Sequence, residues 1–303
     1  MFGSESMFCH HACSLFRKHS NAVRVCIATV LILVLSQRIS EGSTSLSWSE
    51  LPQFPNSVGV AGPFVGVHND ALIVAGGANF QPPVWQAEKE WHDEIFVLVR
   101  SDNTYSWKEA GTLPRPIAYG AAVSTSDGVV CMGGNDAEKT FNQVFLMQWD
   151  TAQKKVCLVD YPSLPEPCAF GSAVVVDNVI YLAGGQSGQS LTTSMTNFWS
   201  LDLSKRHQPD EFVWESRTPW PGPSRAFNLT VHQHNGFNPC VYVMSGRCQN
   251  DENPKSIEFL KDVWEYTPAS DSWRRRSDSP RCVMAGTAVE SGQSHILVLG
   301  GAD

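Results

Sequence analysis

Three arginines stand directly after a proline or serine at spaced points along the chain: Arg115, Arg225 and Arg281. Four further polar residues, Asn79, Asn135, Gln186 and Arg247, follow closely on glycine pairs or on a Ser-Gly equivalent. A guanidinium presents a planar fork that matches a carboxylate, and side-chain amides both donate to and accept from hydroxyls. Brought together with Tyr119, such a set suits a carboxylated, hydroxyl-rich ligand. The competing role for each arginine is structural, tying neighbouring segments of the fold together.

Two other groupings carry chemistry. The insert 81–91 holds Trp85, Glu88, Glu90 and Trp91, with His92 directly after. Its rings can stack on a sugar and its carboxylates can move protons, and the alternative is a solvated loop over a rim. His232 and His234 alternate across Gln233, so on a strand they share a face, but no third ligand is evident and no metal site is expected. The mature part keeps six cysteines, Cys131, Cys157, Cys168, Cys240, Cys248 and Cys282, without a C-x-x-C pair. Zinc is therefore not expected, and most of these thiols read as small buried apolar groups. Six cysteines allow many pairings, and the spacing selects none.

The elements that position these residues repeat. Apolar runs end in glycine pairs at Gly76-Gly77, Gly133-Gly134, Gly184-Gly185 and Gly300-Gly301, with a weaker copy at Ser245-Gly246. The steps between them are 57, 51, 61 and 55 residues. A strand of small residues precedes each run, at 62–67, 120–124, 171–176, 228–232 and 286–289. After each complete copy come an acidic residue or Asn, an aromatic strand, and a short strand carrying Trp107, Trp214 or Trp273. The second copy has Val156 in that last place. Four short strands per 50–60 residues predict an all-β, kelch-type β-propeller. The predicted blades are about 53–113, 114–165, 166–221 and 222–279, with a partial blade at 280–303. In such meanders the loops from strand two to strand three share a face with the blade-to-blade loops. That face collects the arginines, the amides and Tyr119. Leu46–Pro52 reads as the fourth strand of a blade whose other strands would come last in sequence. The chain is thus expected to be C-terminally incomplete and to expose blade edges.

Composition excludes several classes. Of 303 residues 42% are hydrophobic and only 17% charged, the opposite of a disordered chain. Net charge is −8, so affinity for nucleic acid is not expected. Arg17, Lys18 and Arg24 precede an apolar stretch at 25–35, and Ser40 and Gly42 follow. Residues 1–42 read as a secretory signal peptide, with an uncleaved anchor as the alternative, and Cys9, Cys13 and Cys26 fall within it. The chain is expected to be exported, periplasmic or secreted, with no membrane span in its mature part. Asn228-Leu229-Thr230 has the form of a glycosylation acceptor but falls in an inner strand.

Three segments carry a closer resemblance: 57–66 running on to Gly76-Gly77-Ala78-Asn79-Phe80, then 115–120, then 283–286. Over roughly 48–303 the chain resembles the kelch-repeat N-acetylneuraminate epimerase (sialic acid mutarotase) family, in its cyclically permuted branch. That resemblance implies six blades, no cofactor, and interconversion of the anomers of sialic acid or a related acidic sugar by general acid–base catalysis. It also implies a catalytic glutamate and arginine, both of which fall beyond Asp303, so neither role passes to Glu88 or Glu94. Kelch propellers also include copper-radical oxidases, whose tyrosine, cysteine and histidine ligands have no counterpart here. A propeller that binds glycans or proteins without catalysis is the alternative.

Overall fold

In the computed structural model, residues 48–102, 104–249 and 256–302 are described. The expected signal peptide, 1–42, lies outside the described residues. No helix among the described residues is long and apolar enough to cross a membrane.

The strands run in order as antiparallel meanders. β1 (Phe64–His68) and β2 (Ala71–Ala75) are followed by a small hairpin of β3 (Ala78–Phe80) and β4 (Lys89–Trp91). Then β5 (Glu94–Ser101) and β6 (Thr104–Thr112) complete a four-stranded sheet in the order β1-β2-β5-β6. The second sheet holds β7 (Ala121–Thr125), β8 (Gly128–Met132), β9 (Val144–Asp150) and β10 (Lys155–Tyr161). The third holds β11 (Ser172–Val176), β12 (Val179–Ala183), β13 (Phe198–Asp202) and the short β14 (Glu215–Ser216). In the fourth, β15 (Leu229–His234) and β16 (Pro239–Met244) precede a second small hairpin, β17 (Arg247–Gln249) with β18 (Ile257–Phe259). β19 (Val263–Thr267) and β20 (Ser272–Arg275) close that sheet. Last come β21 (Thr287–Ser291) and β22 (His295–Leu299), paired with each other. These sheets are the blades of a β-propeller.

The core lies between blades rather than within them. On β8, Val129 and Cys131 pack against the first blade with Ile73 and Val97, while Val130 and Met132 face the third with Ile180 and Leu182. On β12 the same alternation sends Tyr181 and Ala183 toward Val241 and Val243 of the fourth blade. A middle strand is thus buried on both faces, which is why these segments read as unbroken apolar runs. β22 is different, with Leu297, Val298 and Leu299 exposed on both of its faces.

The glycine pairs end those middle strands where blades meet. Gly133 has φ +61°, and a Cβ there would lie 2.0 Å from the carbonyl oxygen of Cys168 in the next blade. Its successor Gly134 donates its N–H to that same carbonyl at 2.8 Å. The weaker copy meets the demand differently. Ser245 keeps a left-handed φ of 59°, and its Oγ accepts the Val283 N–H at 2.6 Å.

Of the segment read as a closing strand, residues 48–52 form no strand. The Pro52 carbonyl nonetheless accepts the indole N–H of Trp107 at 3.0 Å.

Candidate functional site

The blade entrances meet around the propeller axis in a continuous chain of backbone hydrogen bonds. Tyr119 N–H donates to Gly62 O, Phe170 N–H to Tyr119 O and Phe227 N–H to Phe170 O, each at 2.7 Å. Ala285 N–H continues to Phe227 O at 3.2 Å. Tyr119, Phe170 and Phe227 have φ of 62°, 59° and 61°, a left-handed conformation that bulky residues seldom hold. This chain of hydrogen bonds accompanies it, and three aromatic side chains turn toward one another. Tyr119 stacks on Phe170 with centroids 4.7 Å apart, and Phe170 meets Phe227 at 4.4 Å.

A cation caps each end of this column. The Arg247 guanidinium lies over Phe227, 4.3 Å from its centroid. The Lys89 ammonium lies 4.6 Å from the Tyr119 centroid and within 5.0 and 5.8 Å of Trp91 and Phe80. Neither has an ion-pair partner among the described residues, and Arg247 Nε is buried without an acceptor. Both cations stand on the small hairpins, β3–β4 and β17–β18, that follow the double-glycine positions. Just inside the column is an axial cavity of about 290 Å³, lined by residues 120–122, 171–173, 229–230 and 286–288.

The amides sit at the rim in different states. Asn135 is 2% exposed, donates Nδ2–H to Gln189 Oε1 at 3.3 Å, and keeps its Oδ1 unpaired. Gln186 is buried and donates to Gly188 O at 3.3 Å. Asn79 is committed to the framework: it donates to Gly59 O at 2.7 Å and shares a 3.0 Å hydrogen bond with His92 Nε2.

The three entrance arginines do not converge on the axis. Arg225 is fully buried, with both terminal nitrogens on the Asp262 carboxylate at 3.0 and 2.7 Å and one also on Ser245 O. Burial raises the Asp262 pKa, but the Arg225 hydrogen bonds and charge, with the Trp264 N–H, outweigh it and hold the carboxyl below its usual range. Arg225 is therefore a tie within the blade rather than a ligand contact. Arg115 lies over the Phe141 ring at 4.9 Å, in a groove between blades beside Asp160 and Tyr161. Arg281 is exposed, its carbonyl accepting from Ser279 Oγ at 2.8 Å.

The shift is a matter of register. Counting from the small residue that bridges each rim, Ala118, Ala169 or Ala226, places Arg225 level with Ile117 and Cys168, two positions inside Arg115. The same count exposes a motif overlooked above: Ala118-Tyr119, Ala169-Phe170 and Ala226-Phe227 put an aromatic in one place in three successive blades. Lys89 had no such signal.

Of the insert, Trp91 meets Tyr119 edge-on at 5.8 Å, Glu90 accepts from Gln81 at 2.8 Å, and Trp85 is 81% exposed. His232 Nδ1 pairs with Glu290 Oε2 at 2.6 Å, and His234 Nδ1 accepts the Gly236 N–H at 3.0 Å. Asn228 is buried and donates to Ala183 O and Thr230 Oγ1. Of the six cysteines among the described residues five are buried, and burial pushes the Cys168 thiol up to about 12.

A family model described as N-acetylneuraminate epimerase matches residues 34–156 and 161–303. The chain belongs to the N-acetylneuraminate epimerase family. Among curated members, an N-acetylneuraminate epimerase of Brucella suis is 38% identical over 117 residues, covering 34% of this chain and 29% of that protein. One from Yersinia enterocolitica is 35% identical over 113 residues, covering 31% and 28%. The matched stretch thus spans less than a third of each epimerase. The solved structure of YjhT superposes with a TM-score of 0.66 at 13% identity, covering 86% of this chain and 82% of that one, a likeness of fold.

Proposed function

We propose that the axial mouth binds N-acetylneuraminate or a related acidic sugar, and that the protein interconverts its anomers as an exported isomerase of carbohydrate metabolism. The observation that carries this reading is the column Tyr119–Phe170–Phe227, with the Arg247 guanidinium on Phe227 lacking an ion-pair partner among the described residues. A sugar acid supplies what that arrangement needs. Its carboxylate takes the two terminal nitrogens of Arg247, and its apolar carbons cover the rim of the aromatic column as buried hydrophobic area.

Mutarotation asks for little more. A base withdraws the anomeric hydroxyl proton while an acid protonates the ring oxygen, the ring opens, and closure on the opposite face gives the other anomer. General acid–base help of about 10²–10⁴-fold suffices. Family membership supports this chemistry, and the cation-capped column supports an acidic substrate.

The test is anomer exchange of N-acetylneuraminate followed by NMR with the full chain. Exchange faster than the spontaneous rate, lost on Arg247→Met, is expected. Binding without acceleration would leave a carbohydrate-binding propeller, and neither binding nor acceleration would overturn the reading.

A further inference from the structure

Lys89 has a place but no partner. It is the first residue of β4, opposite Phe80 in the β3–β4 hairpin, and its ammonium is flanked by Phe80, Trp91 and Tyr119. Such rings fix a cation by the negative face of their π-systems while leaving its charge without a counter-ion. The neighbouring carboxylate of Glu90 is engaged by Gln81 at 2.8 Å, and no described carboxylate forms an ion pair with Lys89. The hairpin thus brings to the mouth an ammonium with no ion-pair partner among the described residues.

Lys89 and Arg247 cap opposite ends of one column, separated by three rings drawn from three successive blades. One carboxylate cannot satisfy both. From Arg247 to Lys89 the steps along the column are 4.3, 4.4, 4.7 and 4.6 Å, a span suited to a long sugar acid rather than a hexose. The guanidinium is the better fork for a carboxylate, whereas an ammonium with rotatable donors suits a run of neighbouring hydroxyls.

We infer that Lys89 is a specificity-determining residue that binds the polyhydroxylated tail of the sugar acid, at the end opposite the carboxylate held by Arg247. The inference rests on the reading of the mouth as a sugar-acid site. It makes the protein selective for nine-carbon acids over shorter ones with the same ring and carboxylate.

The experiment is calorimetric binding to the full chain with three ligands: N-acetylneuraminate, its analogue shortened by periodate cleavage of the tail, and its carboxamide. Lys89→Met should weaken the intact acid roughly ten- to a hundredfold and leave the tail-shortened analogue within about twofold of wild type. Lys89→Arg should recover part of the loss. Arg247→Met should weaken both acids and leave the carboxamide nearly unchanged. Equal losses on both acids with Lys89→Met, or none on either, would overturn the inference while leaving the sugar-acid reading intact. Failure of the wild-type chain to bind any of the three would overturn both.

Discussion

The indole N–H of Trp273 donates to the carbonyl oxygen of Thr218 across a blade boundary, at 2.7 Å. Trp214 makes the same bond to Pro162 at 2.9 Å, and Trp107 to Pro52 at 3.0 Å. Each acceptor lies 52 to 55 residues before its donor, one repeat back. The recurrent tryptophan is thus a latch as well as a cover. Pro52 holds the position of Pro162 and Thr218, where an outer strand of the preceding blade ends.

Trp273→Phe keeps ring packing against Phe198 and Tyr266 and removes only the latch. A net loss of about 1 kcal/mol is expected, or roughly 2–4 °C in Tm for a domain of this size. Thermal unfolding reads it directly. An unchanged Tm would mean that the bond is no better than the water it displaces.

Arg225 and Asp262 provide a second test, this time of a role. Asp262→Ala leaves a wholly buried guanidinium without its counter-ion and should cost about 3–5 kcal/mol. Arg225→Met together with Asp262→Leu removes both charges and should recover much of that loss. Sugar binding per folded molecule should be retained in the double variant, as judged by NMR titration. Loss of binding in a stable double variant would return Arg225 to the ligand site.

How much of this was legible beforehand depended on which residues a local pattern controls. Val129-Val130-Cys131-Met132 announces a middle strand because neighbouring blades bury both of its faces. Gly133-Gly134 announces a blade junction because a Cβ has no room there. Arg225 misled because its type suggested a ligand while its register, level with Ile117 and Cys168, belongs to the packed seam. Lys89 was hidden for another reason. Its role depends on pairing with Phe80 across the insert and on Tyr119 from the next blade, and neither contact leaves a mark in the local sequence.

Acid should act through Glu265. Burial raises its pKa, but hydrogen bonds from Asn235, Tyr242 and Arg276, with the Arg276 charge, more than offset that and set the folded value below the ordinary one. The unfolded chain therefore binds this proton more readily. Stability from Glu265 is fully present above the unfolded value of about 4.3 and is lost as pH falls through the depressed folded value. Glu265→Gln should be less stable at neutral pH and should show a flatter decline below about pH 4. Parallel denaturation curves for the two proteins across that window would remove Glu265 from the account.

Phe170 allows backbone and ring to be separated. Its φ of 59° costs a bulky residue about 1–3 kcal/mol, and Gly62 holds the matching place in the first blade with φ 63°. Phe170→Gly relieves that strain while deleting the middle of the column, so gain and loss should nearly cancel in Tm. If the ring is kept there for a ligand, sugar-acid affinity should fall about tenfold or more even though the protein remains as stable as before. Titration at equal folded fraction distinguishes the outcomes. Unchanged affinity would mean that the strained aromatic serves only the packing between Tyr119 and Phe227, and the mouth would then have to bind its ligand by the cations alone.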